Sequence, residues 1–433
     1  MRIRILCSKK NILALVLAMV PFLTNYNIPV FHKNVTVLLF LSIALAEIIK
    51  RLAGNSSWIP GNCTANRLFL VMACYMACSH VILNFPDSTG LPFLPVLTDI
   101  VLFVMELYGL MLLYADREIR KRYWIHLERI AILMSACIYV QYVLYYGFGM
   151  LPGGPGRQFF IPFPGLMTDA VLKSVTNGTM VIYGLFRPSA FFLEPAHFAH
   201  YCSIGLACMV FRSRKAMNWK TAMVTGAIVL STSGIGIAAI SLIWGTVFVY
   251  EAKSLSQNAV LRNFMILILF PAAFLVLYLG VPFFHQTVSR MTGAGNAGDN
   301  ALLGRLGNWE RVKQLEGISK WFGKGYKNLP TFGAGNTYYF TGFLELCYCQ
   351  GVLGACFFSF FYLGMLFQMA VRKNRLGTLV LMIGGGFLVG SSILSPSNLA
   401  PYIPFLYLEK EKEERRSGGM AYEKDFNGFY SCI

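Results

Sequence analysis

The chain has 433 residues, 56% of them hydrophobic, 15% aromatic and only 13% charged, with a mean hydropathy of +0.56. A soluble domain carries about 25% charged residues, so the composition excludes an ordinary soluble protein and points to a polytopic membrane protein. The net charge of +17 excludes less, because basic residues accumulate on the cytoplasmic side of membrane spans as a matter of course.

Apolar runs of roughly 17 to 25 residues cross a hydrocarbon core about 30 Å thick as helices. Period-2 alternation is absent, so helices rather than a closed barrel satisfy the backbone. The expected fold is all-α and polytopic, with about 12 transmembrane helices (11 to 13). In chain order the runs predict spans near residues 11–30, 35–49, 67–85, 92–114, 125–147, 196–211, 220–231, 234–250, 263–283, 343–369, 376–393 and 398–408, the seventh and the last being short. The basic start Met1-Arg-Ile-Arg precedes an apolar run followed by Asn25-Tyr-Asn rather than a small-residue cleavage site, which predicts an uncleaved first span.

Most of the 37 lysines and arginines then fall in segments that alternate to one side, placing both termini in the cytoplasm. Residues 1–408 read as one transmembrane domain with large external loops at about 148–195 and 284–342. Residues 409–433 read as a cytoplasmic tail, with mixed Lys and Glu and then Gly and aromatics. The external loops hold Arg157, Lys173 and Arg187, and Arg290, Arg305, Arg311, Lys313, Lys320, Lys324 and Lys327, against few acids. Long loops escape the charge rule, which is one reading of this excess. An anionic ligand at the outer face is the other, since arginine donates paired hydrogen bonds to phosphate and keeps its charge.

All 11 cysteines lie in proposed spans or cytoplasmic segments, so no disulfide framework is expected. No His-Glu-x-x-His or Cys/His ligand pattern occurs, and the pair His197 and His200 has no nearby third ligand, so no metal is expected. Nothing resembles a nucleotide cradle or an internal repeat.

The segment Arg187-Pro-Ser189-Ala-Phe191-Phe192-Leu-Glu194-Pro-Ala-His197-Phe-Ala199 sets Arg, Glu and His against the start of a span. Phe191 and Phe192 would dip into the interface while the charges occupy a wet pocket. Further on, Gly304-Arg-Leu-Gly-Asn-Trp-Glu-Arg-Val-Lys313 precedes Trp321-Phe-Gly-Lys-Gly-Tyr-Lys327. Gly323 and Gly325 mark a tight turn where backbone can approach a ligand, and the stretch reads equally as a basic amphipathic helix at the headgroup layer. Tyr183, Tyr338 and Tyr339 suit sugar stacking or an interfacial aromatic belt.

These elements together resemble the O-antigen ligase and polymerase superfamily, especially the Wzy-type polysaccharide polymerases. The resemblance rests on four loose motifs in order: Arg187 to Pro195; Leu230-Ser-Thr-Ser-Gly-Ile-Gly236; Arg305 before a tryptophan and then Gly323-Lys-Gly325; and Glu345 ahead of Gly351-Val-Leu-Gly354. Ligases of the superfamily carry a His-Asn pair about ten residues before the last element. Here those positions read Phe340-Thr341, with Asn336 nearby, which favours polymerase.

The resemblance implies a metal-independent glycosyltransferase with no cofactor, acting at the outer face of a bacterial cytoplasmic membrane. Its substrate would be an undecaprenyl-pyrophosphate-linked oligosaccharide in membrane lipid, and flippase and chain-length regulator proteins would be its partners, with no nucleic acid. The catalytic candidates are Arg187, Glu194, His197, Arg305 and Arg311; the substrate-binding candidates are Ser189, Arg290, Gly323, Gly325, Asn336 and Tyr339. Glu194 or His197 would act as base, or Glu194 would orient Arg187. The alternatives are a ligase of the same superfamily; a flippase or transporter, for which the intramembrane acids Asp99, Glu106 and Glu345 speak; and a scaffold subunit without chemistry.

Overall fold

The computed structural model describes residues 9–24, 26–28, 33–53, 64–84, 93–149, 181–182, 185–192, 194–212, 216–252, 308–332, 336–337, 340–371, 374–388 and 396–407, with the single residues 279 and 285. These residues are nearly all helical. In chain order the helices are α1 (Lys9–Leu23), α2 (Val35–Leu52), α3 (Thr64–Asn84), α4 (Phe93–Ala115), α5 (Arg117–Tyr142), α6 (Pro195–Arg212), α7 (Trp219–Leu230), α8 (Gly234–Ala252), α9 (Trp309–Lys313), α10 (Gly317–Phe322), α11 (Gly342–Val371), α12 (Arg375–Leu388), α13 (Pro396–Leu399) and α14 (Ile403–Leu406). Three two-residue antiparallel ribbons are the β pairing among the described residues.

Three helical stretches, Phe93–Ala115, Arg117–Gly147 and Gly342–Val371, are long and apolar enough to cross a membrane, and several shorter apolar helices accompany them. The architecture is that expected of a helical membrane protein. Apart from residue 279, the expected span at 263–283 lies outside the described residues.

Two expected spans differ in the structure. The first apolar run leaves the helix at Leu23, and Asn27-Ile28 then pairs with Lys33-Asn34. The run at 398–408 is two single helical turns, α13 and α14. Pro396, Pro401 and Pro404 each remove a backbone donor and prevent a longer helix. The turns are buried all the same: Phe405 is fully buried with its ring 4.6 Å from that of Trp124 on α5.

Helix α6 forms the centre. Every residue from Phe198 to Val210 is buried, because the helix packs against α5, α7, α8 and α12; a helix apolar on all sides needs such surroundings. The turn from α4 to α5 is equally determined. Asp116 caps α5, accepting from Glu118 N at 2.8 Å and Ile119 N at 3.3 Å, and pairs with Lys10 at 2.8 Å. Arg120 donates to the terminal α4 carbonyls of Tyr114 (2.6 Å) and Ala115 (2.9 Å).

Candidate functional site

The segment that begins at Leu185 folds into a turn before α6, and α5 holds it. Phe186 stacks on Tyr145 with centroids 4.2 Å apart. Ala190 takes φ 50°, and both its backbone groups bond the buried Gln141 side chain: Ala190 N donates to Oε1 at 3.0 Å, and Nε2 donates to Ala190 O at 3.4 Å. Ser189, itself buried, closes the turn by donating from Oγ to Phe192 O at 2.8 Å, while Phe192 N returns to Ser189 O at 2.9 Å.

Phe192 does not dip into an interface. It is buried against Phe22 (4.5 Å) and Tyr201 (5.4 Å), because the Gln141 clamp turns it into the core; Phe191 remains half-buried at the core edge. Pro195 opens α6, where its missing N–H costs nothing. The Glu194 carbonyl accepts from His197 N and Phe198 N at 3.1 and 3.2 Å, so Glu194 and His197 sit together, half-exposed, at the helix start. His200, one turn further, is buried beside the Tyr402 ring at 5.4 Å.

Arg187 reaches across to a second motif. Its Nε donates to Thr232 Oγ1 at 3.2 Å, and Thr232 lies in the turn between α7 and α8 with φ 55°. Tyr142, the residue after Gln141, donates from Oη to Leu230 O at 3.0 Å in that same turn. Two successive residues of α5 thus hold the two motifs, one each, immediately before the π-helical turn Val143–Gly147. Such turns recur at functional sites.

A separate cluster forms where the segment 308–332 meets α11. The helix kinks at Gly351, whose φ 68° and ψ −172° lie outside helical space. The kink leaves carbonyls without helical partners, and at membrane depth these must be satisfied within the protein. Lys324 N donates to Tyr348 O at 2.8 Å, Gly325 N to Cys349 O at 3.0 Å, and Tyr75 Oη on α3 to Gln350 O at 2.6 Å. Gly323, at φ 79°, lies against the Cys349 backbone, and Gly351 against that of Trp321. A side chain on either would collide with main chain, so Gly323 admits the backbone of α11, and Gly351 admits that of the loop.

The same loop carries Tyr326 into the protein. It is buried with its ring edge on Phe103 at 5.8 Å. Burial pushes its hydroxyl well above the ordinary tyrosine range, and the carboxylates of Asp99, Glu106 and Glu345 add to the shift. Three acids from α4 and α11 are therefore within electrostatic reach of one phenol, and Lys327, whose Nζ lies 5.0 Å from the Tyr326 ring centre, is also within electrostatic reach of Glu106.

Of the candidates read from the sequence, Arg187, Ser189, Glu194 and His197 lie on or beside the turn that leads into α6. Gly323, Gly325 and Arg311, the last within electrostatic reach of Tyr348, belong to the cluster on α11. Asn336 pairs with Phe332 in a short ribbon. Arg290, Arg305 and Tyr339 lie outside the described residues. Gln141, Tyr142, Tyr75 and Tyr326 were not among the candidates; a lone amide in an apolar helix is the one signal that marks Gln141, since polar side chains in spans bond across helices. Among the described residues no group of three or more His, Cys, Asp or Glu is arranged to hold a metal ion. No protein family, no curated protein and no solved structure matches the chain.

Proposed function

We propose that the chain polymerises undecaprenyl-pyrophosphate-linked oligosaccharide repeats into O-antigen or capsular polysaccharide at the outer face of a bacterial cytoplasmic membrane. The observation that carries this reading is the hydrogen bond from Arg187 to Thr232. It draws together two of the four motifs on which the resemblance to Wzy-type polymerases rests.

In this reaction a sugar hydroxyl of one lipid-linked repeat attacks the anomeric carbon of another. The new glycosidic C–O bond forms as the bond to pyrophosphate breaks, and the lipid pyrophosphate leaves with the electron pair. The acceptor proton passes to Glu194 or His197, which stand together at the start of α6. Arg187, already oriented by Thr232, meets charge that develops on the leaving group; preorganised positive groups lower a barrier in this way. The resemblance assigns Arg305 and Arg311 to the same developing charge. Binding both lipid-linked substrates side by side supplies the remaining advantage through proximity.

A second reading is transport of the same lipid-linked glycan. The placement of Asp99 and Glu106 on α4 and of Glu345 on α11, both long apolar helices, favours it, because ionisable groups in spans mark transport pathways. A gel of surface and lipid-linked glycans from cells lacking the chain, with and without re-expression, separates the readings. A single repeat in place of a ladder is the outcome expected of a polymerase. Full-length polymer stranded on its lipid carrier would make the chain a ligase, and repeats trapped on the cytoplasmic side would make it a flippase.

A further inference from the structure

We infer that the groove between the short helices α9 and α10 and the outer face of α11 is a binding site for an anionic phospholipid. The groove encloses about 470 Å³, within the range of small-molecule sites. One wall is α11, through Ala355, Phe360 and Leu363; the other includes Trp309 of α9. Phe360 is 82% exposed and Leu363 59%. On a helix long and apolar enough to cross a membrane, a face of this kind meets hydrocarbon.

The polar end of the groove decides the occupant. Its two charged lining residues, Lys313 and Lys320, both come from α9 and α10, which also expose Trp309 and Trp321. Exposed tryptophans belong at the headgroup level, and lysine stems lie along apolar walls with the ammonium at the polar rim. Of the acids on these two helices, Glu316 is the N-cap of α10, and Glu310 lies 2.7 Å from Lys313 Nζ. That pair is well exposed and so weakly held, and a lipid phosphate can replace it. The acyl chain then runs along Ala355 to Leu363, with the phosphate between the two lysines. The proposal rests on the membrane reading and not on the polymerase reading, so a failed glycan test leaves it standing.

Native mass spectrometry of the full chain in detergent tests it, with phosphatidylglycerol and phosphatidylcholine of identical acyl chains added at equal concentration. Phosphatidylglycerol should be retained preferentially, with each lysine contributing about fivefold, and K313Q/K320Q should abolish the preference. Leu363→Trp, a change at an exposed wall residue that fills the groove, should lose both lipids while keeping the wild-type melting temperature. Ser359→Trp fills the same groove from the next turn of α11. Equal retention of the two lipids by the wild-type chain, or undiminished phosphatidylglycerol on a folded groove-filled variant, overturns the proposal. Preferential retention of a polyprenyl phosphate overturns it too, by giving the groove to a prenyl chain.

Discussion

Replacing Gly351 by alanine should release the segment 319–327 from α11. The residue occupies φ 68° and ψ −172°, a conformation essentially confined to glycine, where another residue costs about 1–3 kcal/mol. The added Cβ also collides with the Trp321 main chain and lies 2.5 Å from Gly323 N. Moving the loop to relieve that contact breaks the bonds from Lys324 N to Tyr348 O and from Gly325 N to Cys349 O. Each buried carbonyl left unmet costs about 1–3 kcal/mol. The interlock should therefore weaken by at least about 3 kcal/mol, which speeds hydrogen exchange through local opening by about 100-fold. Exchange measured by mass spectrometry on the protein in detergent reads the amides of Lys324 and Gly325 directly. Gly364→Ala in the same helix is the control, since a Cβ there meets nothing within 4 Å and should stabilise by about 0.5–1 kcal/mol. Exchange in Gly351→Ala within about threefold of wild type, less than 1 kcal/mol, would refute the reasoning.

Four further outcomes are expected. Tyr75→Phe removes the donor to Gln350 O and should cost about 1–3 kcal/mol, seen as a lower melting temperature in detergent. Gln141→Leu removes both bonds to Ala190 and should cut polymer output at least about tenfold, a loss of about 1.4 kcal/mol in transition-state stabilisation, while the protein stays in the membrane; unchanged ladders on a gel would contradict the clamp. Thr232→Gly relieves a left-handed residue worth about 1 kcal/mol or more but deletes the Arg187 acceptor, so the melting temperature should hold or rise while polymer output falls. Asp116→Ala loses a cap and should cost about 1 kcal/mol. The Asp116 carboxyl is raised by burial but held, on balance, below its ordinary value of 3.8 by Lys10 and the α5 cap amides. Its contribution is therefore present above about pH 4 and is lost as the pH falls through the lowered value, whereas Asp116→Ala should show no such step in a pH series of melts.

Hydropathy locates several helices to within a residue or two, as where the run at 92–114 is the helix Phe93–Ala115 and 196–211 is Pro195–Arg212, whereas the run at 11–30 leaves its helix at Leu23. It misses the first two turns of α5 because Arg117-Glu-Ile-Arg-Lys-Arg is polar, although the Asp116 cap starts a helix there. It overextends the C-terminal run because Leu, Ile and Phe outweigh Pro401 and Pro404 on a hydropathy scale, while the prolines decide the backbone. Site legibility divides in the same way. Arg187, Glu194 and His197 are visible because charges at a span boundary stand out against apolar neighbours. The clamp is not, because Gln141 acts on a residue 49 positions away and Tyr142 on one 88 positions away, and only packing of α5 between α6 and α7 brings them within reach. Gly323 and Gly351 are visible as glycines, but that each makes room for the other's backbone follows from tertiary contact alone.

The strained residues bear on Arg187 itself. Ala190 and Thr232 both adopt positive φ without being glycine, and each such residue costs about 1–3 kcal/mol that the surroundings must offset. Both lie next to the same pair of α5 residues, Gln141 and Tyr142, and the bond from Arg187 to Thr232 spans the two turns. A fold that needed only to connect helices would place glycine at these positions, as it does at Gly323 and Gly325. Keeping Thr232 retains a hydroxyl that glycine lacks, and that hydroxyl positions the Arg187 guanidinium through Nε. A planar guanidinium held in this way keeps one orientation, whereas a lysine ammonium on its flexible stem would not be held in one plane. Arg187→Lys should therefore fail as thoroughly as Arg187→Ala in polymer output, while both variants stay folded and lose no more than the roughly 0.5–1.5 kcal/mol of one hydrogen bond. A lysine that restored the ladder would reduce the requirement at this position to charge alone and remove the reason for the strain at Thr232.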